Sequence, residues 1–108
     1  MATAYKILGQ AAPATSSDII TVASAHSVII STLVIANTTT SASTVRAYAR
    51  VGGAAAATSN AIIYDASIPA NSTVSFTLGI TLAATDVLTV VAGTSGALTV
   101  TAFGSDLS

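Results

Sequence analysis

The sequence predicts an all-β chain, a single antiparallel β-sandwich or jelly-roll-like domain of about eight strands occupying residues 1–108. Three observations carry that prediction. Apolar residues recur with a period of two rather than 3.6 in one stretch after another, as half-buried strands require. The large apolar residues are mainly valine, isoleucine and leucine set among serine and threonine, and β-branched side chains suit a pleated surface. The segments between strands are short and rich in turn-forming residues, with no helical stretch long enough to cross between parallel strands.

Taken in order, the strands are AYKILGQ near the start, DIITVA at 18–23, SVIISTLVIAN at 27–37, STVRAYARV at 43–51, AIIYDA at 61–66, TVSFTL at 73–78, DVLTVVAG at 86–93 and LTVTAFG at 98–104. In the third, Val28, Ile30, Thr32, Val34 and Ala36 share one face while Ile29, Ser31, Leu33 and Ile35 share the other, so the strand is expected to be central or covered on both sides. In the fourth the split is cleaner: Val45, Ala47, Ala49 and Val51 face the core, and Arg46, Tyr48 and Arg50 face away. TVSFTL sets Val74, Phe76 and Leu78 against Ser75 and Thr77, and LTVTAFG sets Leu98, Val100 and Ala102 against Thr99, Thr101 and Phe103. The connections NTTTSAS, GGAAAATSN, PANS, AATD and GTSG are turn chemistry; Gly52 and Gly53 favour a loop over a helical turn, and GTSG reads as a hairpin loop.

Charged residues make up 6% of the chain, against about 25% in an ordinary soluble domain. The net charge is −1, so self-repulsion is weak and association is expected. Three basic residues cannot neutralise enough phosphates to hold nucleic acid. No cysteine is present, which removes disulfides and thiolate metal sites. The longest greasy run, VIISTLVIA at 28–36, is too short and hydroxyl-rich for a membrane helix. The first residues lack a basic region followed by an apolar run, so a soluble product that is not exported is expected.

Two of the three basic residues sit in TVRAYARVGG. Arginine and tyrosine are enriched at interface hot spots because each joins a large contact area to directional hydrogen bonds, so Arg46, Tyr48 and Arg50 are the candidate interface residues. The competing reading is a solvated face whose arginines pair with Asp65 or Asp86 across strands. His26 is the only histidine and reads as a surface turn residue, since alone it builds neither metal site nor triad. Asp18, Asp65, Asp86 and Asp106 are scattered without paired spacing, each beside a strand end or turn where aspartate caps backbone amides. No catalytic residue, cofactor or metal is therefore expected. GTSG lacks the lysine and helix of a phosphate cradle, and the acceptor patterns at Asn37 and Asn71 read as turns. Tyr5, Tyr64, Phe76 and Phe103 are expected to close the core or to line a subunit contact.

Three stretches, YKILGQAAPA, TVRAYARVGG and LGITLAATDVLTVVAGTSGALTVTAFGSDLS, resemble a group of small virion proteins of tailed bacteriophages encoded among head and tail structural genes. The resemblance spans nearly the whole chain as a pattern rather than a diagnostic motif, and it transfers no residue role. It implies an all-β, non-enzymatic structural protein located in the virion after synthesis in the host cytoplasm. Its partners would be itself, as a homotrimer, and the major capsid protein, to which it would add as a decoration or cement protein. A tail, baseplate or fibre component is the alternative within that class. A carbohydrate-binding module is the alternative outside it, disfavoured because the chain has no tryptophan for a sugar platform.

Overall fold

The computed structural model describes residues 3–108 and consists of two antiparallel sheets packed face to face. Nine strands follow in chain order: β1 (Thr3–Ala11), β2 (Ser16–Thr21), β3 (Ser27–Asn37), β4 (Ser43–Arg50), β5 (Ala61–Ile68), β6 (Thr73–Phe76), β7 (Ile80–Leu82), β8 (Val87–Ala92) and β9 (Leu98–Leu107). One sheet runs β1-β9-β3-β6, with β7 also on β3; the other runs β2-β8-β4-β5. The pairing is nested, β1 with β9, β2 with β8, β3 with β6 and β7, and β4 with β5. That is a jelly-roll-like path, a folded antiparallel ribbon wrapped so that the chain passes between the two sheets except at β4–β5 and β6–β7. The segment expected as one strand at 73–78 is the first half of an interrupted pair: β6 and β7 both lie on β3, separated by Thr77, Leu78 and Gly79, whose φ of 62° only glycine adopts without strain.

The core lies between the sheets. Val28, Ile30, Leu33, Ile35, Val45, Ile68, Leu88, Val90, Leu98 and Val100 are all buried, and fully burying each such side chain contributes about 1.5–3 kcal/mol. The double apolar character of β3 now has a structural cause. Ile30 pairs with Gly104 and Thr32 with Phe103, so Ser31 is an extra residue forming a bulge. Before the bulge the even residues Val28 and Ile30 face the core; after it the odd residues Leu33, Ile35 and Asn37 do. β3 is interior to its sheet, as expected, but its outer face is not covered, and Ile29 remains exposed. Gly104 sits against this bulge, where a Cβ would collide with the Ile29 carbonyl oxygen.

Two local readings are corrected. GTSG does not close a hairpin, because β8 and β9 belong to different sheets and the segment carries the chain from one to the other. Val51 does not face the core: the chain leaves β4 in a short 3₁₀ turn (Val51–Gly53) and Val51 is 75% exposed. A second 3₁₀ turn (Thr58–Asn60) closes the same loop, so the glycine-led segment is a loop with a tight turn at each end. No helix among the described residues is long and apolar enough to cross a membrane.

Candidate interaction surfaces

The outer face of the β2-β8-β4-β5 sheet carries the stripe singled out from the sequence. β4 pairs with β5 through two irregularities, and in the first of them Val45 faces Ala66 while Ala47 faces Ile63. Tyr64 and Asp65 therefore both oppose Arg46, and Asp65 takes the positive φ of 53° that such a bulge demands. The bulge delivers two partners to one guanidinium. Arg46 donates from Nε to Asp65 Oδ1 at 2.6 Å and from Nη2 to Oδ2 at 3.1 Å, while its guanidinium carbon lies 4.1 Å from the centre of the Tyr64 ring. The hydrogen bonds raise the Arg46 pKa above its ordinary value and hold the Asp65 carboxyl below the usual aspartate range.

Arg50 faces inward along the chain's own surface. It donates to the carbonyl oxygens of Ala54 and Gly53, pinning the loop that leaves β4, and from Nη1 to Thr89 Oγ1 and Asp18 Oδ1. Thr89 passes the contact on by donating to Asp18 Oδ1 at 2.8 Å. Tyr48 is only 7% exposed, and the second 3₁₀ turn packs against its strand. Arg46, Tyr48 and Arg50 thus share the outer face of β4, as expected. Tyr48 is covered, and both arginines are engaged within the chain because the bulge and the returning loop bring them partners from β5, β2 and the loop itself. The pairing of Arg46 with Asp65 is the one read from the sequence as the competing account. The other pairing proposed there does not form, since Arg50 takes Asp18, and Asp86 accepts instead from the backbone N–H groups of Gly52 and Ala83, which lower its pKa.

Of the four aspartates, then, Asp86 caps backbone amides as expected, while Asp18, Asp65 and Asp106 bind side chains. His26 lies in the turn before β3, with Nδ1 2.9 Å from Asp106 Oδ1, and Lys6 approaches the other oxygen at 3.7 Å. This clasp ties the turn to β9 and to β1, and the hydrogen bond from His26, assisted by Lys6, lowers the Asp106 pKa. Among the described residues no three His, Cys, Asp or Glu side chains gather as a metal site would require. Asn37 is buried and donates from Nδ2 to the carbonyl oxygens of Ser41 and Ile68, which fixes it as the organiser of its turn and closes its side chain to modification.

The opposite face of the sandwich gathers Tyr5 and Phe103, named from the sequence as core-closing or subunit-contact aromatics, with isoleucines the sequence did not group with them. On the outer side of β1-β9-β3, Tyr5, Ile7, Ile29 and Phe103 are all exposed, and Tyr5 reaches 85%. Register makes them neighbours: Tyr5 and Ile29 both pair with Ser105, and Ile7 pairs with Phe103. The small Ser105 leaves a shallow groove of about 500 Å³ between the flanking strands, bordered by those four side chains, Ser31 and Lys6. Phe103 stood on the polar side of its strand in the sequence, which was the available signal; the convergence of three strands was hidden because it depends on the pairing of β1 and β3 with β9 and on the bulge in β3. Tyr5, Tyr64 and Phe103 do not close the core; of the four aromatics considered, Phe76 alone packs against it.

No protein-family model, curated protein or solved structure matches the chain.

Proposed function

We propose that this protein is a non-enzymatic structural subunit that works by covering, and being covered by, other protein surfaces, and that its setting is the virion of a tailed bacteriophage, where it decorates the capsid. The observation that carries the reading is the exposed apolar groove of Tyr5, Ile7, Ile29 and Phe103 on a chain whose few charges are engaged internally. Scattered exposed apolar residues are ordinary, but a contiguous cluster marks a contact site. The jelly-roll path supplies a stiff slab that presents such a face, and serine and threonine over the rest of the surface let neighbours pack closely without stripping water from charge. Many weak contacts, each made by one copy, hold firmly when copies are arrayed together. The virion setting and the capsid location rest on the resemblance of the sequence to small phage structural proteins.

The test is the copy number of the chain in particles purified from cells that produce it, measured by quantitative mass spectrometry. Decoration predicts a number comparable to that of the major shell protein. A handful of copies per particle would move the protein to the tail, and its absence from particles would overturn the virion setting.

A further inference from the structure

We infer that the outer face of the β1-β9-β3 sheet is a self-pairing surface, on which two copies of this chain lie face to face across a two-fold axis with Tyr5 of each seated in the groove of the other. This rests on the reading of the protein as an assembly subunit and names the contact and its symmetry.

Four features of the molecule select this occupant. First, strand-to-strand addition is discouraged at the edges of both sheets. β1 is bulged between Ile7 and Gly9, β2 between Asp18 and Ile20, and β5 opposite Arg46, while the β6-β7 edge is broken at Gly79. Bulged and interrupted edges do not template another strand, so association falls to the faces. Second, the face carries its own knob and its own hole. Tyr5 stands out from edge strand β1, and the groove beside it is floored by small Ser105. A patch holding both halves of a contact satisfies itself under a two-fold, where residue i meets j and j meets i.

Third, the groove offers no unpaired charge for a charged partner to meet. Its one ionic side chain, Lys6, is held by Asp106, and two copies at net charge −1 repel weakly. Fourth, the size is adequate. The eleven residues of β3 span about 36 Å at about 3.3 Å per residue, and three strands about 4.8 Å apart cover about 14 Å. Two such faces together remove on the order of 1,000 Å² from water, the lower limit for a specific interface.

Sedimentation equilibrium of the full chain over a wide concentration range tests the inference. The wild type is expected to rise from the 10.5 kDa chain mass to twice that value, with a dissociation constant on the order of micromolar. Tyr5→Ser should weaken pairing at least about tenfold, as loss of a hot-spot tyrosine does. Val51→Ser, which removes an exposed apolar residue from the turn after β4 in the other sheet, should leave it unchanged. Because Tyr5 is so exposed its replacement spares the core, and Ile29→Thr on β3, across β9 from Tyr5, provides a second reading of the same face. A chain that stays monomeric at millimolar concentration, a trimer, or a dimer indifferent to Tyr5→Ser and Ile29→Thr would each overturn the pairing. The count of copies in particles is read independently, so the pairing can fail while the assembly role stands.

Discussion

Seven charged side chains serve a chain of 108 residues, and each has a partner. Lys6 meets Asp106, Arg46 meets Asp65, Arg50 meets Asp18, and Asp86 accepts from two backbone amides. The depressed pKa values of Asp65, Asp86 and Asp106 make these contacts a pH-dependent part of stability. A carboxylate whose folded pKa lies below its unfolded value, about 3.9, binds fewer protons folded than unfolded, so its contribution is complete above that value and is lost as pH falls through the folded pKa. These three groups therefore leave the melting temperature unchanged between pH 7 and about 5 and lower it below about 4. Thermal unfolding followed at stepped pH checks this, with Asp86→Asn predicted to flatten the acid limb; a melting temperature that holds steady to pH 2 would be the contrary result. The surface ion pairs among them are exposed and screened, so their individual weight in stability is small. What the sequence offered at this scale was Arg46 on the outer face of β4, with pairing to Asp65 or Asp86 as the competing reading, of which the Asp65 pair forms. It did not reveal Tyr64 over the guanidinium, because only a bulge lets two consecutive residues of one strand oppose a single residue of the next.

Among the elements, the loop from Val51 to Asn60 is held by hydrogen bonds that involve the side chains of Arg50, Asp86 and Asn60. Its inner half carries no buried residue, and Arg50 holds the Gly53 and Ala54 carbonyl oxygens. Arg50→Ala is predicted to release this loop while the sheets stay intact. Limited proteolysis should then cut within residues 52–58 at least several-fold faster than in the wild type, with an unchanged far-ultraviolet spectrum; equal cutting would show that the loop is held by other contacts. Strand positions were legible because alternation survives in β4, β6 and β9. β3 was legible as a strand but not as to its faces, since Ser31 reverses the alternation midway and makes both sides look apolar. β7 was missed because three residues beyond a glycine are too few to display a period. The role of GTSG was missed because a glycine-rich turn looks the same whether it joins two strands of one sheet or bridges two sheets.

For the whole molecule, the two outer faces differ in kind. One engages its arginines with its own loop and aspartates, with Tyr64 left half exposed over Arg46; the other carries a tyrosine, two isoleucines and a phenylalanine around a groove. The low charge of the sequence pointed to covered surfaces and the two arginines drew attention to β4, yet the chemistry that attracts notice in a sequence is the chemistry a fold most readily satisfies internally. The apolar face could not be located beforehand, because Tyr5, Ile29 and Phe103 come together only once the nested pairing and the bulge in β3 are in place. The most direct measurement is hydroxyl-radical footprinting of side chains in the free, dilute chain and in the assembled state. If the open face of β1, β9 and β3 is the contact surface, Tyr5 and Phe103 lose most of their reactivity on assembly while Tyr64, half exposed over Arg46, keeps its own. Protection of Tyr64 with Tyr5 and Phe103 still reactive would contradict the account and return the contact to the β4 face.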